Sequence, residues 1–411
     1  MKKILLILLI FFLGIIIVNA KTYPNLNIRA EHAILYNLND DILLYEKNSK
    51  EKTEIASLTK MMTVLVALEN ITDVKETVTM DKKAFTNLVK EDASVAGFEI
   101  NEKVTYEDLL YGAMLPSGAD ASNQLGISLF GSQEAFILEM NNTAKRLNML
   151  DTVFKTTSGL DRDGQYSTVF DQAILLKYAL NNDHFSKIFK AKKYTTSSGR
   201  VTFQSNLRRY MNSYDISASY ILGGKTGSTD LADLCLASIA SKDNVDYLLI
   251  TTKSDYDQFF PYNITDAKTI YEYYIQNYSY QLIINKDKEV ISLNTTSSSP
   301  KTVNLKAKEE VSFYLKNEEI NLEENKITFK YQGKDTLSFF DKKGDIIGSY
   351  IIYYEEKEYR RIDLYLDEKI SFSPINLILE NLFITIVIIL LLVLLIKITN
   401  KKRRKKKIIL S

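Results

Sequence analysis

The chain of 411 residues holds one cysteine, Cys235, and two histidines, His32 and His184. A single cysteine excludes an internal disulfide framework. In Leu234-Cys235-Leu236-Ala237 it reads as a small buried strand residue rather than a nucleophile. Neither histidine has a cysteine or a second histidine nearby, so the usual ligand set of a zinc site is missing, and no metal or cofactor is expected. A Ser-His-Asp hydrolase would need one of the two as its base, and no Gly-x-Ser-x-Gly elbow offers it a serine. His32 reads as the opening of a strand and His184 as a loop residue. No internal repeat is evident. Net charge is also nearly absent, at +1, but its distribution is uneven.

The ends of the chain account for that unevenness. Lys2 and Lys3, an apolar run over 4–18 and a small residue at Ala20 predict a secretory signal over 1–20, with an uncleaved anchor as the alternative. Residues 382–396 are apolar except for Thr385, and the stretch 375–398 is long enough to cross a bilayer. A basic cluster follows at 401–407, which in this position reads as a positive-inside anchor with a cytoplasmic tail over 399–411. The first 20 residues carry +2 and residues 375–411 carry +7, which leaves −8 on the region between them. That region is expected outside the cell, and its acidity excludes a nucleic-acid partner.

Inside it, Ile55-Ala56-Ser57-Leu58-Thr59-Lys60-Met61-Met62 opens a run, continuing to Leu68, that is almost wholly apolar. A helix with apolar residues in all directions is a buried helix, and a lysine within it is costly unless neutral or enclosed by polar partners. Three apart on a helix, Ser57 and Lys60 share a face, as a nucleophile and its base would. Lowering a lysine from about 10.4 to 7–8 costs about 4 kcal/mol, within the reach of burial and a neighbouring cation. The same spacing recurs in polar surroundings at Ser49/Lys52 and Ser298/Lys301, and an N-cap followed by a snorkelling lysine would look alike.

Hydrophobic periodicity predicts an α/β domain over 27–280. A hairpin at 33–36 and 42–45 leads into the Ser57 helix; helices follow at 106–115, 123–130 and 133–147, then strands at 221–228, 234–240 and 245–252 and a closing helix at 262–278. The implied architecture is an antiparallel sheet built from both ends of the segment, with a helical block inserted between them. Short alternating segments over 281–371, such as 311–315, 327–331 and 349–354, predict a small β domain with no catalytic constellation.

Two further motifs belong with Ser57 and Lys60. On the strand at 221–228, Gly224-Lys225-Thr226-Gly227 offers a lysine and a hydroxyl to a carboxylate, with a glycine where a backbone must approach closely. Pro116-Ser117-Gly118-Ala119-Asp120 follows the 106–115 helix and taken alone is a capping turn. In this order the three resemble the Ser-x-x-Lys, Ser-x-Asn and Lys-Thr-Gly set of the serine-type D-alanyl-D-alanine carboxypeptidases, the low-molecular-mass penicillin-binding proteins, which share it with the serine β-lactamases. The likeness covers most of residues 28–280 and extends to Ser158-Gly159-Leu160-Asp161, Ser167-Thr168, Asp171 and Gly227-Ser228-Thr229. The β domain and anchor also fit that layout.

The resemblance implies a penicillin-binding-protein/β-lactamase-like fold and a division of roles. Ser57 would attack the bond between two terminal D-alanines of a peptidoglycan stem peptide while neutral Lys60 takes its proton. Ser117 would relay a proton to the leaving D-alanine, Lys225 and Thr226 would hold the terminal carboxylate beside Gly227, and the backbone N–H groups of Ser57 and Ser228 would form the oxyanion hole. β-Lactams would acylate Ser57. Two positions depart from the pattern: Ala119 stands where the family has Asn, with Asp120 and Asn123 as nearby polar candidates, and Ser158 stands where a His is frequent. The competing expectations are a cell-wall binding protein that has lost turnover, motivated by Ala119, and a β-lactamase-like hydrolase, which the second domain, the anchor and the lack of a deacylating Glu motif oppose.

Overall fold

The computed structural model describes residues 23–255, 260–323 and 325–409, so the signal-peptide expectation over 1–20 lies outside the described residues, as does the very end of the basic tail. Packing divides the chain after Ile275 into two compact units.

The first unit is built on a five-stranded antiparallel sheet: β1 (His32–Asn37), β2 (Ile42–Lys47), β3 (Ile221–Thr229), β4 (Asp233–Lys242) and β5 (Val245–Ser254), in the order β2-β1-β5-β4-β3. Both ends of the unit therefore meet in one sheet, with β1 pairing β5 from His32↔Thr252 to Asn37↔Tyr247. Between β2 and β3 run α1 (Thr59–Asn70), α2 (Tyr106–Met114), α3 (Ala119–Phe130), α4 (Gln133–Arg146), α5 (Val169–Ala179), α6 (Asp183–Lys190) and α7 (Asn206–Ser213); α8 (Tyr262–Asn277) follows the sheet.

Alternation along the strands divides the sheet between two layers. On β4, Cys235, Ala237 and Ile239 face the core shared with α1, whereas the Ser238 hydroxyl lies 3.0 Å from Tyr271 Oη on α8. Tyr274 of α8 donates to the Leu44 carbonyl at 2.7 Å, which ties that helix to the hairpin. α1 is the centre of the unit: every residue from Thr59 to Ala67 is buried, as the unstriped apolar run predicts. Cys235 is buried in its strand and His32 opens β1. His184, expected in a loop, is instead the second residue of α6, whose first turn the Asn182 side chain caps.

The second unit is β-rich around its own apolar core, which includes Ile284, Leu293, Val303, Phe313, Leu337, Ile352 and Leu364. It contains two three-stranded sheets, one of Ile327–Gly333, Ile346–Tyr354 and Lys357–Tyr365 and one of Thr302–Lys306, Glu289–Thr296 and Thr336–Ser338, and a further pairing joins Tyr278–Ile284 to Val311–Lys316. The apolar stretch expected as one span over 375–398 forms two helices, α9 (Pro374–Glu380) and α10 (Leu382–Ile409). Ser373 caps α9, Pro374 occupies its first turn, and Glu380 accepts from Ser297 N–H at 2.7 Å, so the chain breaks at Asn381. Within α10, Leu382–Lys401 is long and apolar enough to cross a membrane, at a mean hydropathy of 3.1 with none of it buried.

Candidate active site

Ser57 stands in a single 3-10 turn, Ala56–Leu58, directly before α1. Ala56 holds φ +43°, a left-handed conformation unusual for a residue with a Cβ. What fixes it comes from elsewhere in the chain. A Cβ added at Gly159, itself at φ +83°, would lie 1.9 Å from the Ala56 carbonyl oxygen, so only glycine lets the 156–165 loop close over this turn. One helical turn beyond Ser57, Lys60 Nζ donates to Ser57 Oγ at 3.0 Å and to the Ser158 carbonyl at 2.6 Å. Lys60 is 2% exposed. Burial pushes its ammonium down to about 7 from the ordinary 10.5, against the opposing pull of the Asp120 charge.

The second wall is the turn between α2 and α3. Ser117 adopts φ +68° and accepts a hydrogen bond from Lys225 Nζ at 2.9 Å. Asn206, opening α7, supports the turn by donating to the carbonyls of Leu115 and Pro116. Ala119 begins α3 with its N–H on the Ser94 carbonyl at 2.8 Å. Asp120 turns away from Ser57: its buried carboxylate accepts the N–H groups of Ala96, Gly97 and Phe98 at 2.7, 3.2 and 3.4 Å. Asn123 donates to the Ala84 carbonyl and accepts from Thr157 Oγ1. Both polar neighbours of Ala119 are thus committed to holding loops. The second partner of Lys60, beside Ser57 Oγ, is a backbone carbonyl, that of Ser158.

The third wall is β3, the outer strand of the sheet, whose free edge packs against the Ser57 turn. A Cβ at Gly227 would lie 3.0 Å from Ser57 N and 3.2 Å from Ala56 Cβ, so glycine sets how closely strand and turn approach. Lys225 is 1% exposed and lies behind the wall, bonded to Ser117 Oγ and to the Thr226 carbonyl at 2.7 Å. Burial holds its ammonium well below the ordinary lysine range, and the Lys60 charge adds to the effect. Among the described residues no carboxylate bonds to either ammonium; each meets a hydroxyl and a carbonyl.

Ser57, Lys60, Ser117, Thr226, Gly227 and Ser228 all border one cleft of about 610 Å³. Its rim carries an ion pair between Arg162 and Glu91 at 2.7 Å, and Asp161 accepts from Thr229 Oγ1 at 2.8 Å. Tyr210, Tyr214 and Phe260 form an aromatic side to it, with Tyr214 and Phe260 edge to face at 5.8 Å. Sequence reasoning singled out neither these aromatics nor the Ser158 carbonyl; a backbone acceptor has no side-chain signature, and the Tyr210/Tyr214 pair at the end of α7 meets Phe260 only in the fold.

Sequence comparison matches a family described as D-alanyl-D-alanine carboxypeptidase over residues 18–255, and the C-terminal domain of penicillin-binding protein 5 over residues 278–371. D-alanyl-D-alanine carboxypeptidase DacF of Bacillus subtilis is 26% identical over 329 residues, covering 79% of this chain and 81% of that protein. The D-alanyl-D-alanine carboxypeptidase of Streptomyces sp. K15 is 33% identical over 211 residues, covering 48% of this chain and 72% of that protein. The crystal structure of the Streptomyces K15 DD-transpeptidase superposes with a TM-score of 0.55 at 29% identity, over 62% of this chain and 98% of that one. Penicillin-binding protein 5 from Haemophilus influenzae shares the fold, with a TM-score of 0.60 at 22% identity over 86% of this chain and all of that one. The chain belongs to the serine-type D-alanyl-D-alanine carboxypeptidases, the low-molecular-mass penicillin-binding proteins.

Proposed function

We propose that this carboxypeptidase trims peptidoglycan stem peptides, with Ser57 as nucleophile, from the outer face of the membrane that α10 crosses. The observation that carries the reading is the pairing of Lys60 with Ser57 at 3.0 Å and of Lys225 with Ser117 at 2.9 Å around the one cleft. Neutral Lys60 takes the proton as Ser57 Oγ bonds to the carbonyl carbon between the last two D-alanines. The oxyanion is received by the N–H groups of Ser57 and Ser228, each worth roughly 3–4 kcal/mol in acyl transfer. The carbon–nitrogen bond then breaks, and the proton taken by Lys60 passes by way of Ser117 to the departing D-alanine amine, which leaves Lys60 neutral. Lys225 and Thr226 hold the terminal carboxylate, and the arriving anion favours the charged form of Lys225. Water next attacks the ester, neutral Lys60 accepts its proton and returns it to Ser57 Oγ as the acyl–oxygen bond breaks, and the shortened peptide leaves.

β-Lactams mimic the same end and acylate Ser57. The signal over 1–20 and the basic cluster at 401–407 support an extracytoplasmic catalytic unit and a cytoplasmic tail.

The test is incubation of the full chain in detergent micelles with a peptide ending in D-alanyl-D-alanine and with a fluorescent penicillin. D-alanine release and a stable label are expected, and both disappear in Ser57→Ala. Label without release would favour a wall-binding protein, rapid release of the label a β-lactamase, and neither signal would sink the assignment of Ser57. With a tag on the C-terminus, protease added to intact cells is expected to remove the catalytic unit and spare the tag; the reverse would invert the topology.

A further inference from the structure

We infer that the end of the β-rich unit carrying Phe339, Phe340 and Phe372 seats in the lipid–water interface of the bilayer, beside the point where the chain enters it. The inference rests on the reading of Leu382–Lys401 as a membrane span.

Phe340 is 77% exposed, more than any other aromatic residue outside that span among the described residues. It is not on a slack loop. The Ser338–Asp341 turn closes with Asp341 N–H on the Ser338 carbonyl at 3.0 Å, and the Asp341 carboxylate accepts Ser338 N–H at 2.8 Å while pairing with Lys334. The turn thus fixes an apolar ring in an outward position, where water gives it no favourable contact.

The ring belongs to a larger apolar surface that runs toward the anchor. Phe340 lies 4.1 Å from Phe339, and Phe339 lies 5.0 Å from Phe372, which is itself 49% exposed. Phe372 pairs with Ser298 and immediately precedes Ser373, the cap of α9. α9 is in turn held to the same edge: Asn376 Nδ2 donates to the Ser298 carbonyl at 2.5 Å and Glu380 accepts from Ser297 N–H at 2.7 Å. Ile375, the next large apolar residue after Phe372, is 70% exposed. The phenylalanine cluster is therefore joined through short, directed contacts to the segment that continues into the span.

The neighbouring charges fit a lipid surface. Lys342 and Lys343 follow Phe340, are exposed and make no ion pair among the described residues. Aromatic rings flanked by basic side chains suit the headgroup layer, where rings sit at the acyl boundary and ammonium groups meet phosphates. A protein partner could also cover an apolar patch, but continuity with a bilayer-crossing helix commits this one to lipid.

The absence of tryptophan from the chain provides a clean probe, because Phe340→Trp supplies the only indole. The full chain carrying Phe340→Trp, and separately Leu390→Trp within the span, is reconstituted in vesicles of phosphatidylcholine and phosphatidylglycerol with and without acyl-chain-brominated lipid. Emission of Phe340→Trp is expected to shift to shorter wavelength and to lose intensity on bromination, approaching the loss seen for Leu390→Trp. Water-like, unquenched emission beside a quenched Leu390→Trp would overturn the inference while leaving the span intact. A short-wavelength but unquenched emission would also overturn it, and would assign the patch to a protein partner or a second copy. An unquenched Leu390→Trp would remove the span and this inference together.

Discussion

The sharpest consequence of the site geometry is a pH dependence. Among the described residues Lys60 has no anionic partner in hydrogen-bonding contact; it donates to a hydroxyl and a carbonyl, and is pushed to about 7 by burial. At pH 7 about half of it is then neutral, against about one in 3,000 for a lysine at 10.5, a difference of about 10³-fold in available base, while the shift itself corresponds to about 5 kcal/mol. Five large apolar residues buried on the same helix, Met61, Met62, Val64, Leu65 and Val66, contribute roughly 1.5–3 kcal/mol each and outweigh that cost. The sign follows from the chemistry: lowering the pH protonates Lys60 and removes the base. Acylation by a fluorescent penicillin, timed by quenching and gel fluorescence between pH 5 and 9, is expected to fall about tenfold per pH unit below 7 and to level off above about 8. Lys60→Arg, charged throughout, is expected to lose at least about 10³-fold at every pH. A limb centred near 10, or a flat profile across pH 6–8 in a protein that stays folded, would refute the burial argument.

Gly227→Ala places a methyl 3.0 Å from Ser57 N and is expected to slow acylation about 10²–10³-fold with little change in melting temperature; an unchanged rate would mean the strand and turn are not held at this spacing during reaction. Asp120→Asn removes the charge that favours protonated Lys60, so the acid limb is expected to move to lower pH, while the three loop N–H groups lose their acceptor charge and stability falls by about 1–3 kcal/mol in thermal melts. A limb that stays in place would show that Asp120 acts by positioning alone. Ala119→Asn adds an amide at the cleft wall where Asp120 and Asn123 supply none, and kcat/KM on a D-alanyl-D-alanine peptide is expected to rise about 2–10-fold, the worth of one hydrogen bond. No change would mean that the Ser158 carbonyl already completes the site.

The residues of the three motifs were readable because each breaks a local pattern. Lys60 interrupts an apolar run, Lys225 and Thr226 interrupt a strand, and Ser117 follows a proline at the end of a helix. The hairpin, the three later strands and α8 were readable from period alone, since each is long enough to show its alternation. Thr302–Lys306 carries the same alternation in brief, with Val303 and Leu305 buried between Thr302, Asn304 and Lys306. The break at Asn381 was hidden: hydropathy runs on through it, and the contacts that stop α9 are made by Ser297 and Ser298, some 80 residues earlier.

The groups that hold the proton carriers in place were unreadable on the same physical grounds. Ser158 acts through its carbonyl, so the exchange of a frequent His for Ser at that position leaves the bond to Lys60 available to either side chain. Asp120 looked like a substitute for a missing amide, yet it is bound to backbone N–H groups more than twenty residues away, a use that no helical spacing reveals. Gly159 carries meaning only once Ala56 is seen in the left-handed region, because the two must share the volume of one methyl group. A motif in this fold therefore specifies which atoms react, and the distance between them is specified by backbone contacts outside the motif. Loss of all three motifs would be visible in a sequence. A Cβ at Gly159 would leave every motif intact and, by displacing the Ala56 carbonyl, move Ser57 away from Lys60.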